Sequence, residues 1–325
     1  MIRLVAFIIA LPAFWGCFAL WYQVPGGRAV KILAVALWLL FSILIVTVLF
    51  RTRIVWIAAG FALAFGVLLL WWHRLMPSNH RLWTDDVAEM TSGSVDGSRV
   101  VLRNVRNFDW RTTTAYTQRW ETRSYDLDHL DSVDMILSYW TIQAIAHVLI
   151  SFGFDDGSRI VFSVEIRPEK QESFSTIGGF FKEFELSIIA ADERDVIRVR
   201  TNVRGEDDYL YRIRLPKADM RALFLAYVDQ ANRLVEVPRF YNTVTVNCTT
   251  LIYHMMKRIV GKLPLDYRLL FSGYLPSYVY KVGGLDARYT LEQLRVFGRI
   301  TERAHSADHS ATFSTDIRRG VPPVR

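Results

Sequence analysis

The sequence predicts an α+β protein that three N-terminal helices anchor in a membrane. Its 325 residues are 51% hydrophobic and 14% aromatic, which excludes a disordered chain and an ordinary soluble enzyme. The apolar residues are concentrated at the start, because residues 1–75 hold six basic and no acidic residues. The remaining residues mix polar and apolar positions and carry a net charge of only about +1. No basic surface is left for nucleic acid, so we expect no nucleic-acid partner.

Three apolar runs of 19 to 21 residues, each without an internal charge, make up the first region: Leu4–Val24, Ile32–Phe50 and Ile54–Trp72. Each run is long enough to cross a hydrocarbon core of about 30 Å as a helix. A cleaved signal peptide is the alternative for the first run, but no small-residue cleavage site precedes the second run. We interpret Cys17 as a small hydrophobic residue within the first helix.

Three spans place the N-terminus and the large C-terminal part on opposite sides of the membrane. Basic residues flank both faces almost equally, so the positive-inside rule gives no orientation. Aromatic anchors at Trp21-Tyr22 and Trp71-Trp72 close the first and third spans at the same interface. We therefore expect the large domain to begin at the lipid surface. The basic flanks are Arg3, Arg51 and Arg53 on one face and Arg28, Lys31, Arg74 and Arg81 on the other.

The predicted domain organisation is a membrane region at residues 1–75, an α+β domain at residues 76–303 and a polar tail at residues 304–325. Short segments rich in β-branched and aromatic residues predict strands, and apolar residues at three-to-four spacing predict helices. The strands are Ser98–Arg103, Ile136–Trp140, Val196–Thr201 and Tyr209–Arg214, and the helices are Asp219–Val235 and Thr249–Val260.

A hairpin is the clearest local prediction, because Asp155-Asp156-Gly157 separates two β-rich runs. Gly157 supplies the positive φ that closes a three-residue loop. In this register Val148 opposes Val164, Ile150 opposes Phe162 and Phe152 opposes Ile160, which collects large apolar residues on one face. A slip by one residue would scatter them. The other face receives His147, Ser151, Ser163 and Glu165, with His147 across from Glu165.

Cys248 is the one cysteine outside the predicted spans. Asn247 is a good N-cap for the helix that follows, so the thiol lies at the first helical position. There the helix dipole and unpaired N–H groups favour a thiolate and could hold an oxyanion. The alternative is a buried, inert structural thiol.

His147 and Glu165 complete a candidate catalytic set with Cys248, because a nucleophilic thiol needs a base and the base needs an acceptor that orients it. Each residue also has a simpler interpretation, His147 as a satisfied buried histidine and Glu165 as a solvated strand residue. The charges from Asp192 to Asp195, with Arg198 and Arg200, are interpreted as surface ion pairs. The sequence has no Gly-rich phosphate loop and no Cys/His metal cluster, so we expect no metal and no cofactor.

Several separated motifs resemble the Lnb N-terminal periplasmic domain family: Arg103–Phe108, Ser163–Arg167, Glu193–Ile197, Tyr241-Asn242 and Asn247–Thr250. The resemblance covers about half of the chain. It implies a permuted papain-like fold, similar to the lecithin retinol acyltransferase and NlpC folds, in which a histidine on an early strand precedes an Asn-Cys helix start. His147 and Cys248 have that order.

The resemblance also implies a function, namely transfer of an acyl chain within bacterial lipoproteins from a glyceryl ester to the α-amino group of the lipidated cysteine. Because the membrane spans here precede the domain, unlike in the family pattern, the exact substrate is left open. We expect an inner-membrane protein with a periplasmic, thiol-dependent acyltransferase domain and with membrane lipid and lipoproteins as partners. Cys248 would be the nucleophile, His147 the base and Glu165 its orienting residue, while Asn247 or Tyr241 would contribute to the oxyanion site.

Two other functions stay open from the sequence. A cysteine peptidase or amidase that acts on peptidoglycan would use the same residues. A non-catalytic envelope scaffold would keep the fold and would not need Cys248.

Overall fold

The computed structural model describes residues 2–52 and 56–323. Arg53, the predicted start of the third span at Ile54, and Arg325 at the end of the predicted tail lie outside the described residues. The chain divides into two compact units. The first comprises Met1–Ser78, Ser173–Glu185 and Phe240–Thr243, and the second comprises Asn79–Glu172, Leu186–Arg239 and Val244–Arg325.

The first unit contains the three predicted membrane helices, α1 (Ile2–Gln23), α2 (Arg28–Thr52) and α3 (Ile57–Arg74). All three are long and apolar enough to cross a bilayer. They pack on one another through a small core that includes Ile9, Leu49 and Phe61. Much of their remaining surface is apolar and exposed, as expected for helices that lipid surrounds.

The second unit is built on a twisted sheet. Its described strands form the order β1-β2-β9-β8-β7-β6-β10, with β5 also paired to β2. The pairs β1–β2, β2–β5, β6–β7, β7–β8 and β6–β10 are antiparallel, whereas β2 and β9 run parallel. The strands are β1 (Ser92–Asp96), β2 (Arg99–Arg106), β3 (Asp109–Trp110), β4 (Tyr116–Thr117), β5 (Trp120–Asp126), β6 (Leu130–Tyr139), β7 (His147–Phe154), β8 (Arg159–Arg167), β9 (Glu185–Ala191) and β10 (Asp207–Arg212).

Helices follow or interrupt these strands: α4 (Glu193–Arg198), α5 (Lys217–Glu236), α6 (Cys248–Val260), α7 (Leu275–Lys281), α8 (Leu291–Gly298), α9 (Thr301–Ser306) and α10 (Phe313–Asp316). The mixed α+β class is therefore confirmed. The predicted helices at 219–235 and 249–260 are α5 and α6.

The predicted hairpin is confirmed in its register and in its turn. Ile150 pairs with Phe162 and Phe152 with Ile160, and Gly157 closes the loop at φ 84°. The apolar face that this register creates packs on α5, where the ring of Phe162 stacks on Tyr227 with centroids 4.9 Å apart. The hairpin is the central part of the sheet and carries both candidate partners of the cysteine.

The second face of the hairpin is more apolar than the sequence indicates. Leu149 and Val161 are fully buried there, in a core that also contains Val196, Ile300 and Phe313. The sheet is therefore covered on both sides, and polar side chains on this face are buried with it.

Three predictions made from local sequence patterns are wrong: a strand, a set of surface charges and a polar tail. In each case, burial in the folded domain determines the observed structure. Residues 196–201, predicted as a strand, continue α4 into a short π-helical segment at Val199–Val203, since Asp192 caps the helix by accepting from the N–H of Arg194. Four of the charges expected on the surface are buried, namely Glu193, Asp195, Arg198 and Arg200, and Asp195 is bound to Arg106. The polar tail is folded from Ala304 onward, because α9 and α10 supply apolar side chains to the core.

Candidate active site

Cys248 is the first residue of α6, as predicted. Asn247 caps the helix: its Oδ1 accepts from the N–H of Thr250 at 2.8 Å, and Thr250 Oγ1 accepts from the N–H of Asn247 at 2.9 Å. This reciprocal capping box fixes where the helix begins. The thiol consequently lies at the positive end of the helix dipole, where a thiolate is favoured.

His147 and Glu165 lie side by side at the open end of the hairpin, with His147 Nε2 3.2 Å from Glu165 Oε1. Ser163 bridges them, because its Oγ is 2.6 Å from His147 Nε2 and donates to Glu165 Oε1 at 2.6 Å. The three side chains follow from the hairpin register, since residues two apart on a strand point to the same face. The predicted juxtaposition of His147 and Glu165 is confirmed.

The serine bridge assigns the protons on the imidazole. Ser163 gives its hydroxyl hydrogen to Glu165, so its oxygen accepts from His147, and Nε2 carries a hydrogen. The remaining nitrogen, Nδ1, is then the one that we assign to proton exchange with the thiol. His147 and Cys248 are close enough for each to shift the pKa of the other.

The pKa values of Cys248 and His147 are shifted so that each residue favours the charged form of the other. Burial alone would raise the pKa of Cys248, but the hydrogen bond and the positive charge of His147 outweigh it and lower that pKa. Burial opposes the imidazolium as well, yet the negative charge of Glu165 raises the pKa of His147 to about 9. Both shifts favour the thiolate–imidazolium pair, which is the form that attacks carbonyl carbon.

Glu165 also forms an ion pair with Arg200. Arg200 Nη2 donates to Glu165 Oε1 at 3.1 Å, and Arg200 Nη1 donates to Glu206 Oε2 at 3.3 Å. Ser138 also donates to Glu206. Burial would raise the pKa of Glu165, but the charges of His147 and Arg200 hold it far below its usual range. Glu165 is thereby kept ionised near neutral pH.

The oxyanion roles predicted for Asn247 and Tyr241 stay predictions. The side-chain oxygen of Asn247 caps α6, and Asn247 is 6% exposed. Tyr241 belongs to the first unit, where its N–H donates to the carbonyl of Phe184. Ser151, expected on the polar face beside His147, instead donates to Glu193 at 2.5 Å and belongs to a separate network.

Arg200 and Glu206 are site residues that sequence reasoning missed. Arg200 lies 35 positions from Glu165 in the chain, so no local spacing links them. It was misassigned to the surface because charged residues near one another usually pair there. The signal that was present is Asp192, a good helix cap ahead of the segment, which turns Arg200 inward on a helix rather than outward on a strand.

Comparison with known families identifies one match. The sequence model of the family described as the Lnb N-terminal periplasmic domain matches residues 116–273. The chain carries an Lnb N-terminal periplasmic domain. The match spans His147, Glu165 and Cys248, and it confirms the family that the motifs predicted. No curated protein and no solved structure gives a match, so the permuted papain-like arrangement stays a prediction.

The Lnb domain and the three helices of the first unit together define a membrane-anchored protein of the cell envelope with its Lnb domain in the periplasm. An inner-membrane location agrees with both observations.

Proposed function

We propose that this protein is a thiol-dependent acyltransferase that takes acyl chains from ester-linked lipid or lipoprotein and passes them to an amine. The observation that carries the proposal is the partly buried series of Cys248 at the start of α6, His147 on β7 and Glu165 on β8, in which the shifts of the thiol and imidazole pKa values favour the ion pair. Such a pair serves acyl transfer through a thioester.

The reaction proceeds in two balanced halves. The Cys248 thiolate attacks the ester carbonyl carbon, the ester C–O bond breaks, and the leaving glyceryl oxygen takes the proton of the His147 imidazolium. The acceptor amine then attacks the thioester carbonyl, giving an amide, while His147 takes a proton from the nitrogen and the C–S bond breaks. The thiolate–imidazolium pair is restored.

The oxyanion that forms in each half needs hydrogen-bond donors. In the first turn of α6, the N–H groups of Thr250 and Leu251 already donate to Asn247. The backbone N–H groups of Cys248 and Thr249 are the donors at this helix start that we assign to the oxyanion. Two N–H groups and a helix dipole are a typical oxyanion site.

Glu165 acts through His147 rather than on substrate. Its carboxylate stabilises the imidazolium and, through Ser163, fixes the ring so that Nδ1 meets the thiol. Arg200 and Glu206 hold Glu165 in place in turn. We name Glu165, Ser163 and Arg200 positioning residues, and only Cys248 and His147 touch the reacting atoms.

Mass spectrometry of lipoproteins tests the proposal. Cells with the wild-type protein should contain lipoproteins whose N-terminal amine is acylated at the expense of a glyceryl ester, and cells with Cys248→Ala should lack them. The purified wild type in bilayers should retain a hydroxylamine-labile acyl group on Cys248. We expect Cys248→Ala to lower turnover by at least about 10³-fold, as removal of a nucleophile does in other triads.

The second thiol of the chain provides a matched control. Cys17 lies in α1 and donates to the carbonyl of Ala13 at 3.2 Å, so Cys17→Ala should keep full activity. If the protein releases peptide from peptidoglycan and forms no acyl adduct, it is an amidase and not an acyltransferase. Wild-type phenotype in Cys248→Ala would exclude both enzymes in favour of a scaffold.

A further inference from the structure

The segment Ser173–Glu185 leaves the sheet between β8 and β9 and joins the membrane helices in the first unit. Phe181 is its anchor. The ring of Phe181 stacks on Phe18 and on Tyr22, with centroids 5.3 and 5.8 Å apart. It also meets the rings of Trp15 and Trp72 at 6.3 and 6.2 Å. The segment is therefore built into the aromatic belt at one end of the helices.

The Phe181 ring lies beside α1, between Tyr22 near the helix end and Trp15 further along the helix. Its backbone is level with the helix end, because Gln23 Nε2 donates to the Phe181 carbonyl at 2.8 Å. Its ring contacts Trp15, which precedes Gln23 by eight residues, or about 12 Å of helix at 1.5 Å per residue. An aromatic side chain at this position lies at or below the headgroup level.

Polar contacts fix the same segment to the helix ends. Tyr22 Oη lies 3.1 Å from Ser175 Oγ. Lys182 donates from Nζ to the carbonyl of Trp72 at 2.8 Å and lies 4.9 Å from the indole ring. Lys182 thus places a cation at the carboxyl end of α3, where unsatisfied carbonyls and the helix dipole favour one. Burial lowers the pKa of this lysine.

The outer side of the segment is apolar and has no carboxylate from Ser173 to Lys182. Phe174, Ile177 and Phe180 are 63%, 49% and 43% exposed. Large apolar side chains exposed together in water are unfavourable, at about 25 cal/mol per Å² of apolar surface. Aromatic and aliphatic side chains among small polar residues are typical of segments that lie in the membrane interface.

We propose that residues 173–182, which we call the interfacial loop, insert Phe174, Ile177 and Phe180 among the acyl chains of the membrane leaflet on the side of the Lnb domain. The occupant of this apolar surface is bilayer phospholipid. The proposal follows from the continuity of the loop with the membrane helices, to which aromatic stacking and Lys182 attach it.

The interfacial loop is also attached to the segment that leads to the nucleophile. Thr243 donates from its N–H to the carbonyl of Gly179 and from Oγ1 to the carbonyl of Thr176, both at 3.2 Å. A Cβ on Gly179 would lie 2.4 Å from Thr243 Oγ1, so this approach requires glycine. Thr243 precedes Cys248 by five residues in the chain. If the proposed function holds, the loop guides an ester-linked lipid from the leaflet toward the nucleophile.

Depth-dependent fluorescence quenching tests the loop independently of activity. In full-length protein lacking Cys17 and Cys248 through alanine substitutions, Ile177→Cys and Phe180→Cys carry a bimane label in phosphatidylethanolamine–phosphatidylglycerol nanodiscs. Leu63→Cys, 72% exposed on α3, calibrates full lipid contact. We expect lipid labelled with doxyl at acyl carbon 5 to quench the loop labels at least half as strongly as the Leu63 label. Quenching by aqueous iodide without quenching by doxyl lipid would overturn the proposal.

Substitutions in the chain with both cysteines test the link to the site. Ile177→Asp and Phe180→Asp should slow turnover of bilayer lipid at least about ten-fold, whereas Phe180→Leu should keep it. The alkylation rate of Cys248 should stay within two-fold in all three variants, which shows that the fold is kept. Wild-type turnover in the aspartate variants would overturn the guiding role. If doxyl lipid quenches the loop labels strongly but the protein transfers no acyl chain, the insertion of the loop is supported and the proposed function is excluded.

Discussion

At Arg200 a single guanidinium is shared between two carboxylates, those of Glu165 and Glu206. From there the charges alternate through Glu165 and His147 to Cys248. Each ion is stabilised by an opposite neighbour, which offsets the cost of holding charges away from water. The reactivity of the thiol therefore depends on a guanidinium that does not contact it.

The pH dependence of alkylation at Cys248 should report this arrangement. Because the pKa of Cys248 is lowered, the thiolate forms below the pH of a free thiol, and the rate falls only as pH drops through that lowered value. The midpoint with iodoacetamide should lie below about 8.5, the usual thiol pKa. In His147→Ala the hydrogen bond and the charge that lower this pKa most are lost, so burial should move the midpoint upward and the rate at pH 7 should fall at least about ten-fold.

A second histidine provides the control. His129 pairs with Asp155 at the hairpin turn and its side chain is 60% exposed, so His129→Ala should leave the alkylation profile unchanged. A wild-type midpoint at or above that of a free thiol would show that Cys248 is an inert structural residue.

Among the helices, α6 and α8 begin with the same capping box, Asn247 with Thr250 and Thr290 with Gln293. Removing either cap should cost about 1 kcal/mol of unfolding free energy. Only Asn247→Ala should also slow Cys248 alkylation, because only that cap fixes the position of the thiol. Thr290→Ala is the matched variant. Chemical denaturation and alkylation of both variants measure the two effects, and an equal alkylation rate in both would show that the cap does not position the thiol.

Local chemistry explains which elements could be predicted. The hairpin and α6 follow from neighbouring residues, the turn glycine in one case and the Asn247 cap in the other, and both are confirmed. Residues 196–201 were predicted as a strand because Val196, Ile197 and Val199 are β-branched, but tertiary burial overrides that preference. The Glu165–Arg200 contact joins distant parts of the chain; the Asp192 cap indicates that Arg200 turns inward, but no local spacing identifies Glu165 as its partner.

The whole second unit depends on residues near its C-terminus. Arg318 donates to Asp134 at 2.8 Å and also binds Glu193, and both carboxylates are fully or almost fully buried. Phe313 and Ile317 fill the core beside them. The segment expected to be a polar tail is thus a structural part of the sheet's second face.

Arg318→Met should destabilise the protein by about 3 to 5 kcal/mol, because it leaves two buried carboxylates with fewer partners. Arg319→Met should change the unfolding free energy by less than about 1 kcal/mol, since the Arg319 side chain is 77% exposed and pairs with Asp316 three residues earlier. Urea unfolding of the full-length proteins, followed by near-ultraviolet circular dichroism, compares them. Equal stability of the two variants would contradict the structural role of the C-terminal segment.

The ion pair between Asp134 and Arg318 spans 184 residues of chain, and this separation has a consequence for the order of events during synthesis. At about 5 to 20 residues per second, roughly 10 to 40 s pass between the synthesis of these two residues. During that interval the face of the sheet that α9 and α10 later cover exposes Leu149 and Val161. Partly made chains would aggregate through this surface or occupy holding chaperones. Folding of the second unit is therefore completed only after α10 has emerged from the ribosome.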